Sequence, residues 1–144
     1  MAQLISNAIV TTVFHIGSFS INSIYSTTEF LINGSNAHIS ERIEKIDIVN
    51  KIKIIESFIS EVTTTTSLKY KKSIHLALES IQSIIDKINQ ELLDIKKECE
   101  YHQTRYFHYW RTPCCENLFT NLQNHILILD ERMKILKEII HISD

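Results

Sequence analysis

The sequence predicts an all-α fold, an antiparallel four-helix bundle whose long third helix is bent or broken near residues 100–112. Three observations predict it. The 144 residues include only 2 Gly and 1 Pro, too little turn chemistry for a sheet fold, which needs a turn every roughly 8–12 residues. Apolar residues recur at three- and four-residue steps over long stretches, the period of a helix packed on one side. Hydrophobic residues make up 44% and charged ones 22%, a globular balance rather than a disordered one. A chain of this length is expected to form one domain, 1–144. It can bury about 68–70% of its unfolded surface without a metal or disulfide staple.

The first helix is predicted over about residues 2–33. Asn7, Thr11, His15, Ser18, Asn22, Ser26, Glu29 and Asn33 form a regular polar stripe, and most of the remaining surface is apolar. Asn33-Gly34-Ser35 supplies a stop and a restart, with Gly past the helix end and Ser as the next N-cap. The second helix, about residues 36–62, steps through Ile39, Ile43 and Ile46, then Ile48, Ile52, Ile55, Ile59 and Val62. Its other face, with Arg42, Lys45, Lys51 and Lys53 among several Glu, reads as an ordinary solvated surface. Thr63 to Ser67 break the pattern as a linker.

The third helix, about residues 67–110, carries an unbroken stripe from Ile74 through Ala77, Leu78, Ile81, Ile84, Ile85, Ile88, Leu92 and Ile95 to Cys99. Its full length would be about 66 Å at 1.5 Å per residue, well beyond its partners, so a break is expected near its end. Thr112-Pro113 restarts the chain as N-cap and first helical residue. The fourth helix, about residues 113–142, repeats Leu118, Leu122, Ile126, Leu129, Met133, Leu136 and Ile140.

Charge adds a second theme. With 15 Lys+Arg against 17 Asp+Glu the net charge is −2, so no global basic field points to nucleic acid. The charged side chains all lie at or after Glu29, and the first 28 residues carry none. Three cysteines, Cys99, Cys114 and Cys115, are an odd count and do not form a disulfide framework; a reducing compartment is the simpler expectation. Neither a secretory signal nor an apolar run of about 18 residues is present.

Five groups of residues are candidates for chemistry. The seven His come without a GxSxG, HExxH or Gly-rich phosphate motif, so no enzyme and no cofactor are expected. Cys99 and His102 share a helical face, and His108, Cys114 and Cys115 follow; together they outline a conceivable zinc corner. The paired CxxC spacing is missing, so the cysteines read as small buried hydrophobes and no metal is assigned. The aromatic block from Tyr101 to Arg111 reads as a plug closing one end of the bundle rather than a base-stacking platform. Lys69, Lys71 and Lys72 place cations at a helix N-terminus, where each opposes the macrodipole by about 0.3–1 kcal/mol. Either they lie on a solvated loop or they dock on anionic lipid. The charge-free first helix is either a packed core helix or one able to enter a membrane, where each charge would cost about 2.5–3.5 kcal/mol.

Residues Asn36 to Val62, Leu76 to Ile85, and the aromatic break at Trp110 followed by Cys115 to Leu122 resemble the helices of HeLo-like four-helix bundles. The nearest type is the N-terminal domain of mixed lineage kinase domain-like (MLKL) proteins. The likeness lies in helix order and apolar spacing over about residues 10–142. That resemblance implies a cytoplasmic bundle of a cell-death or innate-immunity protein, recruited to the membrane, that binds anionic lipid and permeabilises it after homo-oligomerisation. It also implies a regulatory domain on the same or another chain. Leu4, Ile5, Ile9, Val13 and Ile16 would insert, and Lys69, Lys71 and Lys72 would face lipid. The alternative is a structural or scaffold bundle, of viral or other origin, whose first helix packs against partner subunits.

Overall fold

The structure, a computed structural model, describes residues 20–65, 71–104 and 115–143, and the described residues contain helices and no strand. Five helical segments follow in order. They are α1 (20–34), α2 (Ala37–Ile46), α3 (Ile48–Thr64), α4 (Lys72–Gln103) and α5 (Glu116–Ser143).

Within its described part α1 has one solvated and one packed side. Asn22, Ser26, Glu29 and Asn33, the end of the predicted polar stripe, are exposed, while Ile21, Ile24 and Leu31 are buried. The stop differs from expectation. Gly34 stays helical and Ser35 bonds back to the Leu31 carbonyl. Asn36 is the N-cap instead, its Oδ1 accepting the Ile39 N–H at 2.9 Å, as a short side-chain oxygen at that position does.

The single second helix expected over 36–62 is two helices. Asp47 between them is left-handed, with φ 53° and ψ 39°. The physical reason is a phase slip. Ile39, Ile43 and Ile46 step by four and three, but Ile48 follows after two residues, which turns the next stripe about 200° around a continuous helix. One left-handed residue resets the phase, so Ile39 and Ile43 of α2 and Ile48, Ile52 and Ile55 of α3 reach one core. Asp tolerates this conformation better than most residues, and Asn50 Nδ2 donates to its Oδ1 at 2.8 Å. The threonine run begins inside α3: the Thr63, Thr64 and Thr65 hydroxyls donate to Ser60 and Glu61 carbonyls as the helix ends.

α4 has 32 residues and ends at Gln103, within the window where a break was expected. Thr104 closes it, its N–H and hydroxyl both reaching the Tyr101 carbonyl. Thr112, Pro113 and most of the aromatic block lie outside the described residues. Tyr101, at the block's start, is exposed.

Side-chain bonds fix which parts of the helices meet. Ser20 Oγ donates to Asp86 Oδ1 at 2.5 Å and Gln103 Nε2 to the Gly34 carbonyl at 3.1 Å. Arg132 Nη1 reaches the Ser80 carbonyl. Arg42 pairs with Glu116 and lies 4.0 Å from the Phe119 ring centroid, and Lys51 pairs with Asp130 at 2.9 Å. These cross-links are mostly exposed, so each contributes little beyond registration. The buried isoleucines carry the stability, at about 1.5–3 kcal/mol for each fully buried side chain.

The left-handed residue gives a test. Asp47→Val should lower stability by about 1–2 kcal/mol, because a β-branched residue strains there. Asp47→Gly, free of that strain, should stay within about 0.5 kcal/mol of the parent. Urea midpoints would decide, and equal midpoints for the two variants would remove the left-handed turn from the account.

Candidate functional site

The residues predicted to enter a membrane, Leu4, Ile5, Ile9, Val13 and Ile16, lie outside the described residues, as does Lys69. Lys71 occupies the N-cap position of α4 with no side-chain capping bond, and Lys72 opens the helix exposed. No acidic residue sits in that first turn to offset them. Among the described residues no helix is long and apolar enough to cross a membrane. The packed side of α1 is partly polar: Ser20, Thr27 and Thr28 are buried, and the Thr28 and Tyr25 hydroxyls are buried with no hydrogen-bond partner. Burial, with Glu56 nearby, pushes the Tyr25 hydroxyl above its ordinary pKa.

Of the zinc corner, the structure brings together Cys99 and Cys115. Both are buried thiols, one from the end of α4 and one immediately before α5. The two side chains share a hydrogen bond, which holds Cys99 below the usual thiol range and, with burial, pushes Cys115 well above it. His108 and Cys114 lie outside the described residues. Among those described, no group of three or more His, Cys, Asp or Glu is placed to hold a metal ion.

Two further features join residues distant in sequence. A groove of about 690 Å³ runs between α3 and α5. Its apolar lining is Ile46, Ile54, Ile55, Phe58 and Met133, and its charged lining includes Lys51, Asp130, Lys134 and Lys137. Lys51 is spent on Asp130, and Lys137 Nζ lies 5.7 Å from the Phe58 ring centroid. Helical spacing gave no sign of the groove, because each half reads alone as an ordinary amphipathic surface.

The second feature is Glu91 of α4 beside His125 of α5, with Oε1 and Nδ1 4.0 Å apart. The sequence offered His125 no carboxylate three or four residues away; its partner comes from another helix. The Glu91 side chain is only 15% exposed and its Oε2 has no hydrogen-bond partner. Burial raises its pKa, Asp94 adds to the rise and His125 opposes it, since a carboxylate leaving water favours its neutral form. Neither residue lines the groove.

No family model matches the chain, and no solved structure matches it. The chain is similar to an uncharacterized protein of Acanthamoeba polyphaga mimivirus. The two are 28% identical over 164 aligned residues, covering 94% of this chain and 76% of that protein.

Glu91 makes the fold sensitive to pH in an unusual direction. Its folded pKa lies above the unfolded one, so the native state holds more protons between the two values, and stability falls as pH rises through that window. Above both values the loss is complete. Glu91→Gln, neutral and nearly isosteric, should flatten this part of the profile and raise the melting temperature at pH 7 relative to the parent. Thermal melts from pH 4 to 8 would test it, and parallel profiles for parent and variant would refute it.

Proposed function

We propose that the chain is an antiparallel four-helix bundle, α2 and α3 forming the two halves of its second helix, and that it works by association rather than catalysis. The order of the cross-links supports the arrangement. Ser20 meets Asp86 and Gly34 meets Gln103, so α1 and α4 advance together. Ser80, Glu91 and Cys99 meet Arg132, His125 and Cys115, in reverse order along α5. Arg42 and Lys51 meet Glu116 and Asp130, in the same order as α5. Up, down, up and down is the simplest bundle topology.

One observation carries the association reading. α5 buries one face in the core and still exposes Leu127, Ile128, Ile135 and Ile142 on the other, while Ile54 of α3 is 71% exposed beside the groove. Apolar residues grouped outside a completed core mark a surface that meets something else. The likeness to a mimivirus protein accords with a scaffold of viral type, and the first helix would then pack against partner subunits.

The membrane-directed reading keeps one specific support: the charge-free first 28 residues, followed at a distance by Lys71 and Lys72 at the bare end of α4. On that reading a cytoplasmic module is recruited to membrane, binds anionic lipid and permeabilises it as an oligomer in a cell-death or defence response. Dye release from anionic vesicles separates the two. The association reading expects vesicles to stay sealed with the full chain at micromolar concentration. Leakage that a Leu4→Glu/Ile9→Glu double variant abolishes, with far-UV helicity intact, would overturn it and establish the membrane reading.

A further inference from the structure

We propose that the groove between α3 and α5 takes the outer face of α5 from a second copy of this chain. This deepens the association reading and rests on it.

The two surfaces match in both polarity and charge. Ile128, Ile135 and Ile142 repeat at seven-residue intervals on α5, which stacks them in one stripe on its outer face. They are 39%, 50% and 84% exposed, the most exposed at the end farthest from the α5 N-terminus. Glu131 and Glu138 flank the same stripe, both exposed and, among the described residues, without an ion pair. The groove presents the complement. Ile54, Phe58 and Met133 give an apolar floor, and Lys134 and Lys137 stand on its α5 side. Lys51 is already neutralised by Asp130, and Asp47 lines the groove beside Asn50; Lys134 and Lys137 are the groove lysines left for an incoming carboxylate. An apolar stripe with acidic flanks is what a helix needs to lie in an apolar groove with a basic rim.

Stripe and groove also share α5. Lys134 lies about a third of a turn around the helix from the stripe residues, and Lys137 nearly half a turn. The proposed dimer places the two copies about one two-fold operator along α5, so that each copy's stripe meets the other's groove and both surfaces are used twice. That is the closed, isologous arrangement commonest among homo-oligomers. A heterologous pairing of the same surfaces would leave one groove and one stripe open and would favour chains.

The test exploits the doubled contact. Sedimentation equilibrium of the full chain at 0.15 M salt, from about 1 to 200 µM, should show twice the 16.8 kDa chain mass. Ile135→Asp, at a half-exposed site, should give a monomer with unchanged far-UV helicity. The Lys134→Glu/Lys137→Glu variant has an acidic groove facing an acidic stripe. The Glu131→Lys/Glu138→Lys variant has a basic groove facing a basic stripe. Each alone should dimerise at least about tenfold more weakly, the scale of several exposed charge pairs together. Mixed in equal amounts they should form a heterodimer near parental strength, because both contacts are then complementary.

A parent that is monomeric throughout the range overturns the proposal. So does a dimer indifferent to these variants, or a mixture that fails to associate. Sealed vesicles alongside any of those results would remove this interface and leave the association reading standing, whereas leakage would remove the reading itself.

Discussion

The fold depends on the apolar seam of α4. Ile74, Leu78, Ile81, Ile85, Ile88, Leu92 and Ile95 are buried along one face of a 32-residue helix. Isoleucine is stiff and a modest helix former, so the helix persists because its neighbours cover that face, and they persist because it gives them a wall about 48 Å long. The other contacts register on this wall. Asp86 receives Ser20, the Ser80 carbonyl receives Arg132, Glu91 meets His125 and Cys99 meets Cys115. Cooperative packing of this kind explains how links that are individually weak can together define a unique register.

Much of the architecture was legible because helices announce themselves locally. The stripes of the third and fourth helices, read at three- and four-residue steps, are the buried faces of α4 and α5. The break at Asp47 was legible too, in the two-residue step from Ile46 to Ile48, but a slip of phase is easily read as continuation when isoleucines stand on both sides. Gly34 misled for a related reason. Gly is the commonest left-handed helix terminator, yet here the chain turns at Asn36 and reserves its left-handed residue for Asp47. Propensity ranks residues for a role; the packing of both flanking helices chooses which one fills it.

The candidate site was far less legible, since its features form between helices. The charged side of the second helix looked uniformly solvated, yet Lys51 is tied to Asp130 seventy-nine residues on and lines a groove. His125 looked isolated, and Glu91 reaches it from α4. The approach of Cys99 and Cys115 was visible only as a corner between two helices, where sequence distance is short enough for the connection to fix proximity. Residue types showed which chemistry each position could offer. Which positions meet is decided by interhelical register, and no single helix encodes it.

The exposed isoleucines on α5 then acquire meaning from an asymmetry between helices. α1 spends its solvent side on Asn22, Ser26, Glu29 and Asn33, which is how an amphipathic helix at a water boundary is built. α5 does not follow that rule, placing Ile128, Ile135 and Ile142 among Glu and Lys on a face the core never reaches. A helix apolar on two sides is built for two partners. The first is α4 with the rest of the core, and in the proposed dimer the second is the groove of the other copy. The flanking charges restrict what that second partner can be, because a surface bearing Glu131 and Glu138 discriminates against acidic partners at the rim even when its centre is indifferent. In the proposed dimer, specificity on this face therefore resides in the rim, and affinity in the three isoleucines.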